Sequence, residues 1–311
     1  MLGPSSVGLY RIGPDRVATR CADLRPATAG YLPWQVTLSA GSSPEVCVLW
    51  VAKPGPVPDA LEYETKRELV CYRGGVGPGW VVSGTGHPVA VALSPNGRSL
   101  AWTDSYTNGY VMDIVTASLG TDGVSNLVRI VPVDRARIDS VLREAAMLAW
   151  AGDRALAVSV HGQDGEHSGV YLQTLSPAGE RPGWMNGSHL VPPSPFPSRG
   201  WAYDNVIDAD QSTALAVEQR PAWDEPPAVE GTRALRIQIP TGKVLDVVAL
   251  PGPRRDVTSV SGGPTGIVYS TQPSPDVGSV DAKFYIRFPR QPVGLPILGL
   301  PADTAHVVAA G

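Results

Sequence analysis

Val89-Ala90-Val91-Ala92-Leu93-Ser94-Pro95-Asn96-Gly97-Arg98-Ser99-Leu100-Ala101-Trp102 places a tight polar turn between two apolar runs. Short apolar runs bounded by turn residues are strands, and Ser-Pro-Asn-Gly brings proline for the fixed φ and glycine for the positive one. The stretch is therefore a β-hairpin whose first strand is apolar on both faces, as a buried inner strand must be. Beyond a polar loop, Tyr110 to Ser118 continues as a third strand and Asn126 to Val131 as an outer fourth.

The end of the hairpin recurs. Val48-Leu49-Trp50, Leu100-Ala101-Trp102, Leu156-Ala157-Val158, Leu215-Ala216-Val217 and Ile267-Val268-Tyr269 follow one another at steps of 52, 56, 59 and 52 residues. A repeat of that period carrying four antiparallel strands is a propeller blade. The inner strands of the five copies begin near Trp34, Val89, Met147, Val206 and Val257. The two remainders are complementary. Val7–Ile12 and Arg16–Arg20 look like a second and third strand without a first, and Ala305–Ala309 falls where a sixth inner strand is due. The expected fold is an all-β, six-bladed β-propeller forming a single domain over 1–311. Segments 1–33 and 303–311 make the closing blade, with the C-terminal strand pairing with the N-terminal strands. Seven blades is the alternative count, the extra one lying in the Pro-rich stretch 182–200 or within the first 80 residues.

Leu93-Ser94-Pro95-Asn96-Gly97-Arg98-Ser99-Leu100-Ala101-Trp102 resembles the "SPDG-x-x-[LIV]-A-[FWY]" repeat of TolB-like and related WD-type propellers. The copies at 148–158, 206–217 and 260–269 keep the apolar run and lose the Ser-Pro. The resemblance implies a propeller fold and, from the habits of that group, an interaction platform. It carries over no catalytic residue.

Composition narrows the partners. With 25 basic and 29 acidic residues and 43% hydrophobic residues, the chain has a core to bury and no electrostatic footprint for nucleic acid. The 34 glycines and 31 prolines suit many turns between short strands. No apolar run is long enough to cross a bilayer as a helix, so no membrane insertion is expected within this chain, and a monomer is expected. Met1-Leu2-Gly3-Pro4 lacks the features of a secretion signal. The compartment is cytoplasmic if Met1 is the natural start and extracytoplasmic if a leader precedes it. Cys47 and Cys71 lie in one repeat, where neighbouring strands could bring them together. A disulfide and small buried thiols, Cys21 included, are both compatible with the spacing.

One segment departs from the β pattern. Ile138, Val141, Leu142 and Ala145 are spaced for one helical face, predicting a short helix over Asp134–Met147 that covers a sheet edge.

The chemistry is sparse. No Gly-x-Ser-x-Gly elbow and no Cys-His pair occur, and Gly75-Val76-Gly77-Pro78-Gly79 lacks the helix a phosphate loop needs. His161-Gly162-Gln163-Asp164-Gly165-Glu166-His167 holds four metal-ligand types on a Gly-containing loop that would not fix them, so a solvated hairpin tip is expected, with no metal and no cofactor. Loops joining second to third strands, at Lys53–Glu62, Thr103–Gly109, Ser159–Ser168, Glu218–Gly231 and Ser270–Asp281, are long, acidic and aromatic. Their face, around the channel mouth, is the candidate ligand-binding surface for a protein or small molecule: Trp34, His87, Asp104, Tyr106, Trp201, Tyr203, Asp204, Trp223, Arg255 and Asp256. Trp50, Trp102 and Trp150 are expected as core between blades, whereas Trp80, Trp184, Trp201 and Trp223 are expected in loops and carry more functional weight. The primary expectation is a non-catalytic binding or scaffolding domain, such as the sensory or interaction domain of a bacterial envelope protein. The alternative is a metal-assisted hydrolase or lyase using Asp204 and Asp256 with His87 as base.

Overall fold

The computed structural model describes residues 7–301 apart from 41–42, 53–65, 76–77, 84, 106–111, 121–122, 131–141, 153–154, 163–168, 176–187, 192–201, 210–211, 220–231, 240, 251–254, 264–265, 274–282 and 289. All of the longer elements are antiparallel strands. An N-terminal hairpin, β1 (Val7–Ile12) and β2 (Ala18–Leu24), precedes five four-stranded sheets. Sheet 1 holds β3 (Tyr31–Leu38), β4 (Val46–Ala52), β5 (Arg67–Tyr72) and β6 (Trp80–Val81). Sheet 2 holds β7 (Pro88–Leu93), β8 (Ser99–Ser105), β9 (Met112–Gly120) and β10 (Gly123–Ile130). Sheet 3 holds β11 (Leu142–Trp150), β12 (Ala155–Gly162), β13 (Gly169–Thr174) and β14 (Ser188–Val191). Sheet 4 holds β15 (Ala202–Ala209), β16 (Thr213–Gln219), β17 (Thr232–Gln238) and β18 (Val244–Ala249). Sheet 5 holds β19 (Arg255–Gly263), β20 (Gly266–Pro273), β21 (Lys283–Arg287) and β22 (Leu295–Pro296). In each sheet the strands pair in chain order, as a meander.

The turn at 94–97 closes on itself through its own side chains. Ser94 Oγ and the Arg98 amide both donate to Asn96 Oδ1 at 2.8 Å, and the Ser99 amide donates to Ser94 Oγ at 2.9 Å. Gly97 has φ +69°, a conformation in which a Cβ is strained. The turn also ties sheet 2 to sheet 1, because the Ala40 amide donates to the Pro95 carbonyl at 2.9 Å.

The sheets pack face to face through buried apolar clusters. Sheets 1 and 2 share Cys47, Leu49, Leu69, Leu93, Leu100 and Trp102, while sheets 3 and 4 share Ala149, Ala157, Ala214, Ala216 and Ile237. Sheets 4 and 5 meet through Leu215, Val248, Ile267 and Tyr269. Between sheets 2 and 3, the Trp150 indole donates to the Ala92 carbonyl at 3.0 Å. The hairpin contributes Tyr10, Ile12 and Ala18 to a cluster with sheet 5, and Val7, Leu9 and Leu24 to one with sheet 1. It is tied to sheet 5's exit segment by bonds from the Ala18 amide to the Leu298 carbonyl at 2.8 Å and from the Leu298 amide to the Arg16 carbonyl at 3.0 Å. Residues 305–309, expected to complete this unit, lie outside the described residues.

The structure corrects four expectations. Leu142–Met147 is strand, not the end of a helix: β11 pairs with β12 from Leu142↔Gly162 to Trp150↔Leu156. Long-range pairing outweighs the local helix preference of Arg-Glu-Ala-Ala-Met. Residues 134–141 lie outside the described residues. The fourth copy of the triplet is one residue out of phase. In copies one, two and five the first and last residues face the preceding unit, as Val48, Trp50, Leu100, Trp102, Ile267 and Tyr269 do. In copy four Ala214 and Ala216 do so, whereas Leu215 faces sheet 5. The equivalent triplet is Ala214-Leu215-Ala216, since a one-residue slip exchanges the two faces of a strand. Third, the strands run further than expected, to Ser105, Gly162, Gln219 and Pro273, so Asp104 is a strand residue and not a loop residue. Fourth, Trp80 opens β6, where its ring packs against the core shared by sheets 1 and 2 and lies under the Arg73 guanidinium at 5.7 Å.

Cys47 and Cys71 stand directly opposite each other on β4 and β5 and form a disulfide with Cα atoms 4.0 Å apart, both fully buried. Cys21 is an exposed free thiol. Trp50 and Trp102 are fully buried and Trp150 nearly so, as expected.

Candidate functional site

Each inner strand carries at least one residue with no counterpart on its neighbour. The extra residue is Trp34 in β3, lies at Val89-Ala90 in β7, and is Thr258 in β19. In β11, Arg143 and Ala146 are extra, and in β15, Asp204 and Ile207. Such bulges bend a strand and re-aim side chains. Trp34 sits at such a bulge and is 57% exposed, within an exposed run that also includes Leu32 and Pro33.

The inner edge of β7 is held by side chains. Gln35 places its amide against the Val91 backbone like another strand, donating to the Val91 carbonyl at 3.1 Å and accepting from the Val91 amide at 2.8 Å. Thr37 Oγ1 accepts from the Leu93 amide at 2.9 Å, and Thr103 Oγ1 fills the bulge by accepting from the Ala90 amide at 2.9 Å. An edge that would otherwise present unpaired groups is thereby closed and rigid.

At the end of the sheets where β3 and β7 start, polar groups gather. Asp104, 8% exposed, accepts from the His87 amide at 2.8 Å through one oxygen and from Arg129 at 2.8 Å through the other. Gly86, with φ +65°, lets the chain pass against that carboxylate, where a Cβ would lie 2.4 Å from Oδ1. The His87 side chain is left exposed above this anchor. Arg67 donates to the Pro88 carbonyl at 2.9 Å, joining sheet 1 to sheet 2 at the same end. Asp104 thus organises the loop before β7 while Trp34 and His87 face solvent.

Asp204 and Tyr203 lie near the start of β15, and Arg255 and Asp256 open β19, so the backbone sets them at the starts of successive inner strands. Tyr106, Trp184, Trp201 and Trp223 lie outside the described residues, as do His167 and most of the loops at 53–62, 103–109, 159–168, 218–231 and 270–281. His161 is in β12, opposite Glu144. Among the described residues, no group of three or more His, Cys, Asp or Glu side chains is placed to hold a metal, and no helix is long and apolar enough to cross a membrane. Sequence reasoning missed Gln35, Thr37 and Arg129, whose roles depend on neighbours about 25 to 56 positions away. Their only sequence signal is polar residues inside otherwise apolar strands.

No family model matches this chain, and no curated protein matches it. Solved structures do. One prolyl endopeptidase structure superposes with a TM-score of 0.50 at 15% identity over 95% of this chain. A puromycin-hydrolyzing peptidase of Mycobacterium tuberculosis gives 0.49 at 13% identity over 95%, and the β-propeller domain of the Trilobed protease from Pyrococcus furiosus 0.44 at 14% over 86%. Only the first reaches 0.5, and at such identity it bears on the fold alone. The chain spans 38%, 45% and 72% of those three proteins.

Proposed function

We propose that this chain is a six-bladed β-propeller acting as a binding or scaffolding domain, with a protein or small molecule taken up at the sheet ends where the inner strands begin. The five meanders are five blades. The hairpin, packed by one part on sheet 5 and by another on sheet 1, occupies the sixth position. Its inner strand is supplied by the segment that follows Leu298, within 303–311. The turn chemistry of 93–102 supports placing the chain among TolB-like and WD-type propellers.

The observation that carries the binding reading is Trp34. A large aromatic ring set on a bulge and left 57% exposed beside a side-chain-braced strand edge is a rigid anchor of the kind that dominates interfaces. His87 stands exposed on the loop that Asp104 pins. The buried Cys47–Cys71 disulfide supports an oxidising, extracytoplasmic setting, consistent with a sensory or interaction domain of an envelope protein. The test is a peptide and small-molecule binding screen with the wild type and the Trp34→Ala/His87→Ala double variant. The expected result is a ligand whose affinity falls at least tenfold in the double variant while its unfolding curve is unchanged. Equal affinity in the two proteins overturns the site.

A metal-assisted hydrolase is the second reading, favoured by the placement of Asp204 and Asp256 at the starts of neighbouring inner strands. It requires a stoichiometric divalent ion in the purified protein, lost in Asp204→Asn/Asp256→Asn and stabilising toward heat. Elemental analysis of both proteins decides between the readings.

A further inference from the structure

We infer that the outer strand of sheet 4, β18, is a docking edge for a second copy of this chain, the two strands pairing antiparallel about a two-fold axis between Leu245 and Asp246. The edge is independent of the loop-face reading above. β18 ends the strand order of its sheet, so among the described residues nothing pairs with its outer side. Five consecutive residues there, Lys243 to Val247, are exposed, with Val244 at 42%, Leu245 at 48% and Val247 at 51%. Proteins ordinarily blunt an apolar edge of that kind by keeping it short or placing proline on it. The outer strands of sheets 1 and 5 follow that rule: β6 and β22 are two residues each, and β22 contains Pro296. β18 keeps six residues and leaves three large apolar side chains in the open.

The backbone selects the occupant. β18 carries one extra residue, Leu245, because Arg236 lies opposite Asp246 while Ile237 lies opposite Val244. The Gln238 amide donates to the Lys243 carbonyl and its carbonyl accepts from Gly242, whereas the Ile239 amide donates to Ser212. Even-numbered residues of β17 therefore bond to β18 and odd-numbered ones to β16. Val244 and Val247, opposite Ile237 and Leu235, turn their own N–H and C=O groups outward, with two residues between them instead of the usual one. An ordinary strand meets such an edge out of step. A second β18 meets it in step, since the extra residues of the two copies lie against each other and Val244 of each falls opposite Val247 of the other. These valines share the face that Ile237 and Leu235 turn toward sheet 3, so four of them form one apolar cluster across the axis. On the other face, Lys243 of each copy comes diagonal to Asp246 of the other, a spacing that long side chains span. Neither group is ion-paired among the described residues, so each copy supplies the charge that the other lacks. An interface of this size gives a dimer that forms with rising concentration, in place of the monomer expected from the sequence.

The experiment is sedimentation of the full chain over a rising concentration series, with thermal unfolding as the control on folding. The wild type is expected to move from the mass of one chain toward that of two. Val247→Lys, at an exposed position, should weaken association about tenfold or more, because each substitution acts twice across the axis and sets an ammonium in the valine cluster. Lys243→Asp and Asp246→Lys should each weaken it about fivefold, and the exchanged double variant Lys243→Asp/Asp246→Lys should return it to the wild-type level, which a mere loss of folding does not allow. The mass of one chain at every concentration overturns the edge, as does an association that Val247→Lys leaves unchanged or that the exchanged double variant does not restore.

Discussion

The interface between sheets 1 and 2 and the one between sheets 3 and 4 differ in the size of the side chains described at each. Among the described side chains, the first holds leucines, valines, Trp102 and a disulfide, and the second holds Ala149, Ala151, Ala157, Ala209, Ala214 and Ala216 beside Leu235 and Ile237. Small side chains let the backbones approach, and β11 and β12 run close to β15 over more of their length than β3 and β4 do to β7. Packing density, not side-chain size, is what an interior conserves. Where the large side chains meet, stability comes from buried apolar surface; where the described alanines meet, the narrow space is intolerant of added volume.

That contrast can be broken at either interface. The largest effect is expected from Trp102→Ala, which removes a fully buried ring between sheets 1 and 2: about 3–5 kcal/mol in denaturant unfolding. Next is the Cys47→Ala/Cys71→Ala double variant. The bridge closes a loop with a sequence separation of 24, worth about 3 kcal/mol if it acts by restricting the unfolded chain. The same loss should appear when the wild type is unfolded under reducing conditions. At the narrow interface the damaging change is enlargement. Ala216→Leu should cost about 1–3 kcal/mol by overpacking, whereas the corresponding Val217→Leu, on the other face, should cost less.

A finer comparison concerns two indoles. Trp150 donates to Ala92, while the Trp102 indole N–H has no hydrogen-bond partner among the described residues. Trp150→Phe should therefore lose about 1 kcal/mol more than Trp102→Phe, the net worth of one hydrogen bond. The last effect lies at high pH and belongs to Tyr72, whose phenol is pushed up to about 12, mainly by burial, with the Trp50 indole acting the other way and the nearby Glu68 charge adding to the rise. An unfolded tyrosine releases its proton near 10. The fold holds the proton longer than the unfolded chain, so its contribution is complete below pH 10 and is lost as pH rises from 10 to 12. Tyr72→Phe should flatten that decline in a stability profile against pH.

The meander, the repeat spacing and the five inner strands were legible because each rests on local signals: a turn residue with a required φ, or an apolar run of strand length. The cysteine pair was legible as a possibility, and the register Cys47↔Cys71 made it a bond. The helix expected at 142–147 failed for the converse reason. Leu142–Met147 carries a helical pattern, and its partner at 159–162 is distant in sequence. At the candidate site, Trp34 and His87 were identifiable as a lone aromatic and a lone histidine before apolar strands. Asp104 was identifiable as a residue but not as the anchor of the His87 loop, since Arg129 and Gly86 reach it only across the sheet.

By itself the sequence determined that the chain builds repeated four-stranded meanders, because alternation, turn chemistry and spacing act within a few residues. The tertiary structure decided which face of each strand looks to which neighbour: that Leu215 faces sheet 5, that Gln35 braces Val91, and that Glu68 and Tyr72 hold the segment at 25–28 by hydrogen bonds to Thr28 and Arg25. Those choices depend on the summed packing and hydrogen bonding of segments far apart in the chain. A one-residue slip changes all of them while leaving the local pattern almost untouched.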